Sequence, residues 1–158
     1  MIVILTKARH CWKLMSFLTR IHVVNWVYAV EQAGREWIAP GEYSLGISYC
    51  WPYLVPPEIL AQPSLGWINY HPAPLPDYKG PKETTRAIAD RVMEWGVSVH
   101  WMDERFDTGP LIECRRYSLW EPPTNEAEMG ALAHWHLFQL FRDTIKSLTT
   151  ATQYVKQQ

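Results

Sequence analysis

No two cysteines in this 158-residue sequence are spaced C-x-x-C, since Cys11, Cys50 and Cys114 are three in number and far apart. A disulfide framework and a cysteine-based zinc site are therefore not expected, and a reducing, cytoplasmic setting is. No apolar run approaches a bilayer's thickness, and the apolar start Met1-Ile-Val-Ile-Leu comes before basic residues, the wrong order for a secretory leader. Charge of one sign is lacking too. The 15 basic and 16 acidic side chains balance to −1 without a run of either, so neither a nucleic acid nor a membrane surface is the expected partner. There is no G-x-G-x-x-G, no P-loop and no serine or cysteine in a nucleophile elbow.

What is present fits one globular domain over residues 1–158, with 47% hydrophobic residues and nine tryptophans. Apolar runs alternate with helical patterns between turn signals, the pattern of a mostly parallel α/β sheet. Strands are expected at Ile2–Leu5, Ile21–Tyr28, Tyr43–Cys50, Leu65–Tyr70, Val97–Met102 and Pro110–Leu119. Helices are expected at Cys11–Leu18, with Trp12, Met15 and Leu18 on one face, at Glu31–Trp37, at Lys82–Met93 ended by Gly96, and at Met129–Leu148. The three prolines of Trp51–Pro57 force an extended loop leading into Glu58–Ala61.

In open parallel sheets, ligands bind beyond the carboxyl ends of the strands. The loops at Trp51–Pro57, Asn69–Gly80 and Asp103–Gly109 are the candidates, and they carry Asn69, His71, Asp103 and Asp107. A carboxamide, an imidazole and a carboxylate in one crevice can orient an amine, stabilise a developing oxyanion and move a proton. Direct attack by a substrate group is favoured over a covalent acyl-enzyme.

Two segments, Asn69-Tyr-His71-Pro-Ala-Pro-Leu-Pro-Asp-Tyr-Lys-Gly80 and Trp95-Gly-Val-Ser-Val-His-Trp-Met-Asp-Glu-Arg-Phe-Asp107-Thr-Gly-Pro-Leu-Ile112, resemble the core of the folate-dependent formyltransferases over about Tyr43–Leu119. That family includes glycinamide ribonucleotide, methionyl-tRNA and nucleotide-sugar N-formyltransferases. The resemblance implies a Rossmann-like open α/β sheet with helices on both faces. It also implies a catalytic trio of Asn69, His71 and Asp107, and 10-formyltetrahydrofolate as formyl donor. The donor's pterin would be held by Tyr53, Leu54 and Val55 together with Val97, His100, Met102 and Asp103. The acceptor it implies is a primary amine on a small molecule, with a nucleotide-linked amino sugar preferred. Fewer residues precede Asn69 than in typical members, so the N-terminal half, which in relatives helps hold the acceptor's phosphate, is read as abbreviated. A folate-binding module without transfer activity and a formyltetrahydrofolate hydrolase are the competing readings.

Other residues have plainer expectations. Lys79 is either an acceptor-phosphate contact or a surface lysine, His100 is read as a packed histidine beside the site rather than a direct catalyst, and Asp103 is as readily a solvated turn residue as a pterin contact. His134 and His136, two apart on a helix, point to different faces and make a poor metal pair, so no metal is expected. Trp12, Trp26, Trp37 and Trp135 are expected to pack, while Trp51, Trp95 and Trp101 fall nearer the crevice. The last helix's apolar face, with Leu132, Trp135 and Leu140, is read as core, a homodimer contact being its other use.

Overall fold

Strands buried on both faces need layers above and below, and the apolar run at the N-terminus satisfies this as the middle of a sheet. The computed structural model describes residues 1–21, 26–30 and 41–155. Strand β1 (Ile2–Thr6) is buried at every position and lies between β2 (Trp26–Val30) and β3 (Leu45–Tyr49), parallel to both. Next come β4 (Trp67–His71), parallel to β3, then β5 (Glu94–Trp101), antiparallel to β4, and β6 (Leu111–Ser118), antiparallel to β5. The sheet order is β2-β1-β3-β4-β5-β6, an open and mostly parallel sheet. The helix expected at Glu31–Trp37 and residues 22–25 of the second expected strand lie outside the described residues.

Alternation along the strands divides the core. Ile2, Ile4, Leu45, Ile47, Ile68, Tyr70, Val97 and Val99 face a layer built by α1 (Ala8–Arg20), α3 (Glu83–Ala89) and the long α4 (Glu126–Val155), which contribute Leu14, Leu18, Ala87, Leu137 and Phe141. Val3, Leu5 and Trp67 face the other way, against Tyr43 just before β3 and against Val55 and Ile59 of the proline-rich loop and the one-turn helix α2 (Pro57–Leu60). Helices therefore stand on both faces, but among the described residues the second face has only this four-residue turn. Gly46, opposite Trp67, makes that layer close-packed: a Cβ there would lie 2.1 Å from the indole ring.

Two helices differ from their sequence expectation. α3 ends at Asp90, not Gly96. Arg91 adopts a left-handed φ of 51°, its N–H donating to Ile88 O, while Val92 N donates to Ala87 O, a Schellman closure that turns the chain into β5. Gly96 lies within β5. In α1 the buried positions are Leu14 and Leu18, so the helix presents Trp12 to solvent at 80% exposure, where packing was expected. Trp135 and Leu132 on α4 are likewise exposed, and Leu140 is core. α4 starts at Glu126, three residues before the expected Met129, with Asn125 Oδ1 accepting from Ala127 N and Glu128 N.

Candidate active site

Across the thinly covered face, the parallel and antiparallel registers align one polar residue from each of three strands: Ser48 of β3 opposite Asn69 of β4, and Asn69 opposite His100 of β5. Because β5 runs against β4, the loop after it does not start at the carboxyl end of β3 and β4, as an all-parallel arrangement would require. It starts beside Trp67, where Met102 N donates to Trp67 O, and returns across the sheet face to bring Asp107 onto Asn69. That return is tight. Trp101 N donates to Pro110 O, and a Cβ on Gly109 would lie 1.9 Å from Trp101 O. Glycine is the residue that permits this backbone crossing.

Asp107 is the centre of the cluster. Its Oδ1 accepts from Asn69 Nδ2 at 3.1 Å and lies 3.3 Å from His100 Nε2. Its Oδ2 accepts from Gly80 N at 2.8 Å and lies 3.6 Å from His71 Nδ1. Both Asp107 and Gly80 have left-handed backbone, φ 53° and 74°, which aspartate tolerates better than most side chains and glycine adopts freely. The carboxyl is buried, and burial pushes its pKa up. The hydrogen bond from His100, the charge of His71 and the Gly80 N–H outweigh this and hold it below the ordinary aspartate value.

Each imidazole is oriented by a carbonyl, which can only accept. His71 Nε2 donates to Tyr78 O at 2.9 Å, leaving Nδ1 toward Asp107. His100 Nδ1 donates to Trp101 O at 2.7 Å, leaving Nε2 shared between Asn69 Nδ2, at 3.1 Å, and Asp107. A neutral His100 accepts from Asn69 at that nitrogen, and a protonated one donates to Asp107. The loop bearing Tyr78 is fastened to β5 by Ser98, whose buried hydroxyl accepts from Leu75 N and donates to Ala73 O, and by Trp95 Nε1 donating to Pro72 O.

A cavity of about 350 Å³ opens against the cluster, lined by Asn69, His71 and Asp107 and by Tyr53, Leu54, Val55, His100, Met102 and Asp103. Of the residues expected to contact a pterin, only Val97 is elsewhere. The alternation of β5 turns Ser98 and His100 to the cavity face and buries Val97 fully beneath α4. Asp103 Oδ1 is engaged by Thr108 Oγ1 at 2.6 Å and Arg105 N at 2.9 Å, contacts that hold its carboxyl below the usual range and shape the returning loop. Trp51 is on the wall, whereas Trp95 and Trp101 belong to the layer under α4. Lys79 is not on the wall; Lys7, Arg9, Lys82 and Arg105 are. Sequence reasoning missed these four cations and the Gly80 N–H. Lys79-Gly80 was a turn signal, but nothing local connects that N–H to a carboxylate 27 residues away.

Fold and site together define an open α/β sheet protein with a buried carboxylate, an amide and two imidazoles beside a ligand-sized cavity. The formyl transferase family model matches residues 36–134, and the chain belongs to that family. It is 34% identical to the methionyl-tRNA formyltransferase of Thermus thermophilus over 93 residues, 59% of this chain and 29% of that protein. Against the methionyl-tRNA formyltransferase of Lysinibacillus sphaericus it is 42% identical over 62 residues, 39% of this chain and 20% of the relative. The matched regions thus cover under a third of these curated relatives. Among solved structures, the formyltransferase PseJ from Anoxybacillus kamchatkensis, in complex with UDP-4,6-dideoxy-4-formamido-L-AltNAc and tetrahydrofolate, superposes with a TM-score of 0.78 at 21% identity, over 96% of this chain and 78% of that one. Phosphoribosylglycinamide formyltransferase from Streptococcus pneumoniae gives 0.71 at 18% identity, over 94% and 98%. These superpositions establish a shared fold. No helix among the described residues is long and apolar enough to cross a membrane.

Proposed function

We propose that this chain moves a formyl group from 10-formyltetrahydrofolate to a primary amine of a small acceptor. The observation that carries the reading is the convergence of Asn69, His71 and Asp107 on one cavity wall, with the carboxylate buried and kept ionised. The amine nitrogen attacks the formyl carbon, and negative charge builds on the formyl oxygen. Asn69 Nδ2, which donates to Asp107 Oδ1 in the free chain, turns a proton to that charge, a donor worth roughly 3–4 kcal/mol of barrier. The amine's proton passes to Asp107, directly or through a water. As the bond between the carbon and the folate nitrogen breaks, that nitrogen takes up a proton, so one proton has moved from acceptor to leaving group. His71, anchored on Tyr78 O through Nε2, faces Asp107 with Nδ1. Passed on from Asp107 to Nδ1, the amine's proton makes His71 the second donor beside the oxyanion before it reaches the folate nitrogen.

Tyr53, Leu54, Val55 and Met102 supply the apolar wall that a flat pterin requires, with Asp103 and His100 as its polar partners. Lys7, Arg9, Lys82 and Arg105 on the same wall suit the phosphates of a nucleotide-linked amino sugar. Such an acceptor resembles the sugar nucleotide bound to PseJ. The chain is to be mixed with 10-formyltetrahydrofolate and a panel of amines, and tetrahydrofolate release followed. Release only with an amino-sugar nucleotide supports the proposal. Formate release without acceptor makes the chain a hydrolase, and folate binding without any turnover makes it a binding module; either result overturns it.

A further inference from the structure

At one end of the cavity stands a group of side chains that the proposed formyl transfer does not use, two of which, Cys50 and His134, are on its wall. His10 in the first turn of α1, Cys50 directly after β3, and His134 on α4 bring their ligand atoms within 4.8 Å of one another. We propose that these three side chains form a metal site for a divalent ion of the zinc class, with its fourth position toward the cavity.

The geometry is close to what such an ion requires. Zinc bonds of about 2.0–2.1 Å to nitrogen and 2.3 Å to sulfur give a tetrahedral S···N edge of about 3.6 Å and an N···N edge of about 3.3 Å. Cys50 Sγ and His134 Nδ1 already stand 3.6 Å apart. The His10 ring lies 4.6 Å from the His134 ring, centroid to centroid, and a side-chain adjustment of about an ångström closes the remaining edges. Cys50 and His134 both line the cavity, which leaves the open position on that side. Cys50 also has a left-handed φ of 54°, a conformation a cysteine rarely holds without reason, and its N–H is tied to Tyr70 O.

The donor set is chemically consistent. One thiolate and two imidazoles are the mixed sulfur and nitrogen ligands that zinc-class ions prefer. Binding exchanges the Cys50 thiol proton for a metal–sulfur bond, and both imidazoles bind through a lone pair. Burial pushes the Cys50 thiol up from its ordinary value; Lys7 and Arg9 nearby offset part of that and oppose the cation. The thiolate removes one of the ion's two positive charges, and Glu83 is near enough to act on Cys50. Arg9 Nε donates to His10 Nε2 at 3.2 Å from an exposed position, and it releases that nitrogen into solvent when the ion arrives. The sequence gives no warning of this site, because its ligands come from three elements and none is paired in a C-x-x-C or H-x-x-x-H spacing.

Titrating the reduced full chain with cobalt(II) tests the site. One equivalent should bind, with the intense visible bands of tetrahedral cobalt and a near-ultraviolet thiolate-to-cobalt band, and zinc(II) should abolish both. Cys50→Ser should remove the thiolate band, and His10→Ala or His134→Ala, each deleting a ligand, should weaken cobalt binding by more than the roughly 10- to 100-fold that loss of a partner outside the ligand set costs. The double variant Cys11→Ser with Cys114→Ser should keep the full spectrum. Far-ultraviolet dichroism checks that each variant is folded; should Cys50→Ser fail that check, His10→Ala decides by the same spectrum. The faint spectrum of octahedral cobalt, no binding, or a thiolate band that survives Cys50→Ser would overturn the proposal.

Discussion

Asn69 Nδ2 donates to Asp107 Oδ1 at 3.1 Å across 38 residues of sequence, tying the middle of β4 to the loop that returns from β5. This bond aligns the carboxamide and the carboxylate before any substrate arrives. Such preorganisation matters because aligned dipoles need not reorient as charge develops.

Asp107→Asn keeps the shape of the side chain and removes the proton acceptor. Folate binding, read by calorimetry, should be largely retained, while turnover should fall by about 10²-fold or more. A variant with normal turnover would remove Asp107 from the proposed chemistry.

Asn69→Ala deletes the proposed donor to the oxyanion and removes the contacts of that side chain with Asp107 and His100. The expected loss is about 10²–10³ in kcat, with a smaller change in KM for the folate. Steady-state kinetics at saturating acceptor separates the two constants.

The Asp107 carboxyl also links folding to acid. Its folded pKa is lowered, so its ionised form stabilises the fold fully above the unfolded value of about 4 and loses that contribution as pH falls through the folded value. Melting temperature measured from pH 6 to pH 2 should therefore drop more steeply in the wild-type chain than in Asp107→Asn, with the two curves converging at the acid end. Parallel curves would mean that the carboxylate makes no net contribution to folding.

Ser98→Ala leaves Leu75 N–H and Ala73 C=O without the hydroxyl that joins them in a buried site. A cost of about 1–3 kcal/mol is expected by chemical denaturation. Because the same loop carries the Tyr78 carbonyl that orients His71, kcat should fall as well.

Gly109→Ala places a methyl group against Trp101 O, at a distance no Cβ tolerates, so the returning loop must move. Transfer should be nearly abolished and the melting temperature lowered. By contrast Trp12→Ser, at an exposed position, should change stability by no more than about 0.5 kcal/mol.

Much of this was readable in the chain itself. The apolar runs of β1, β3 and β4 located strands to within two residues at each end, since strands buried on both faces are made of mostly apolar sequence. The end of α3 was not readable, because Arg91 takes the left-handed position at which glycine is the usual signal. Trp12 was misjudged for a related reason: a large aromatic ring suggests burial, but the phase of α1 is set by Leu14 and Leu18 against the sheet.

The sequence alone determined the kinds of groups available for chemistry and placed Asn69 and His71 at the carboxyl end of one expected strand; the structure extends that strand through His71, so that the two share a face. Tertiary structure decided the rest. The antiparallel reversal of β5 sets His100 opposite Asn69, and the loop crossing at Gly109 carries Asp107 onto both. The same folding joins His10, Cys50 and His134 from three elements. Local sequence governs dihedral preference and facing, but groups tens of residues apart meet only through the packing of the elements that carry them.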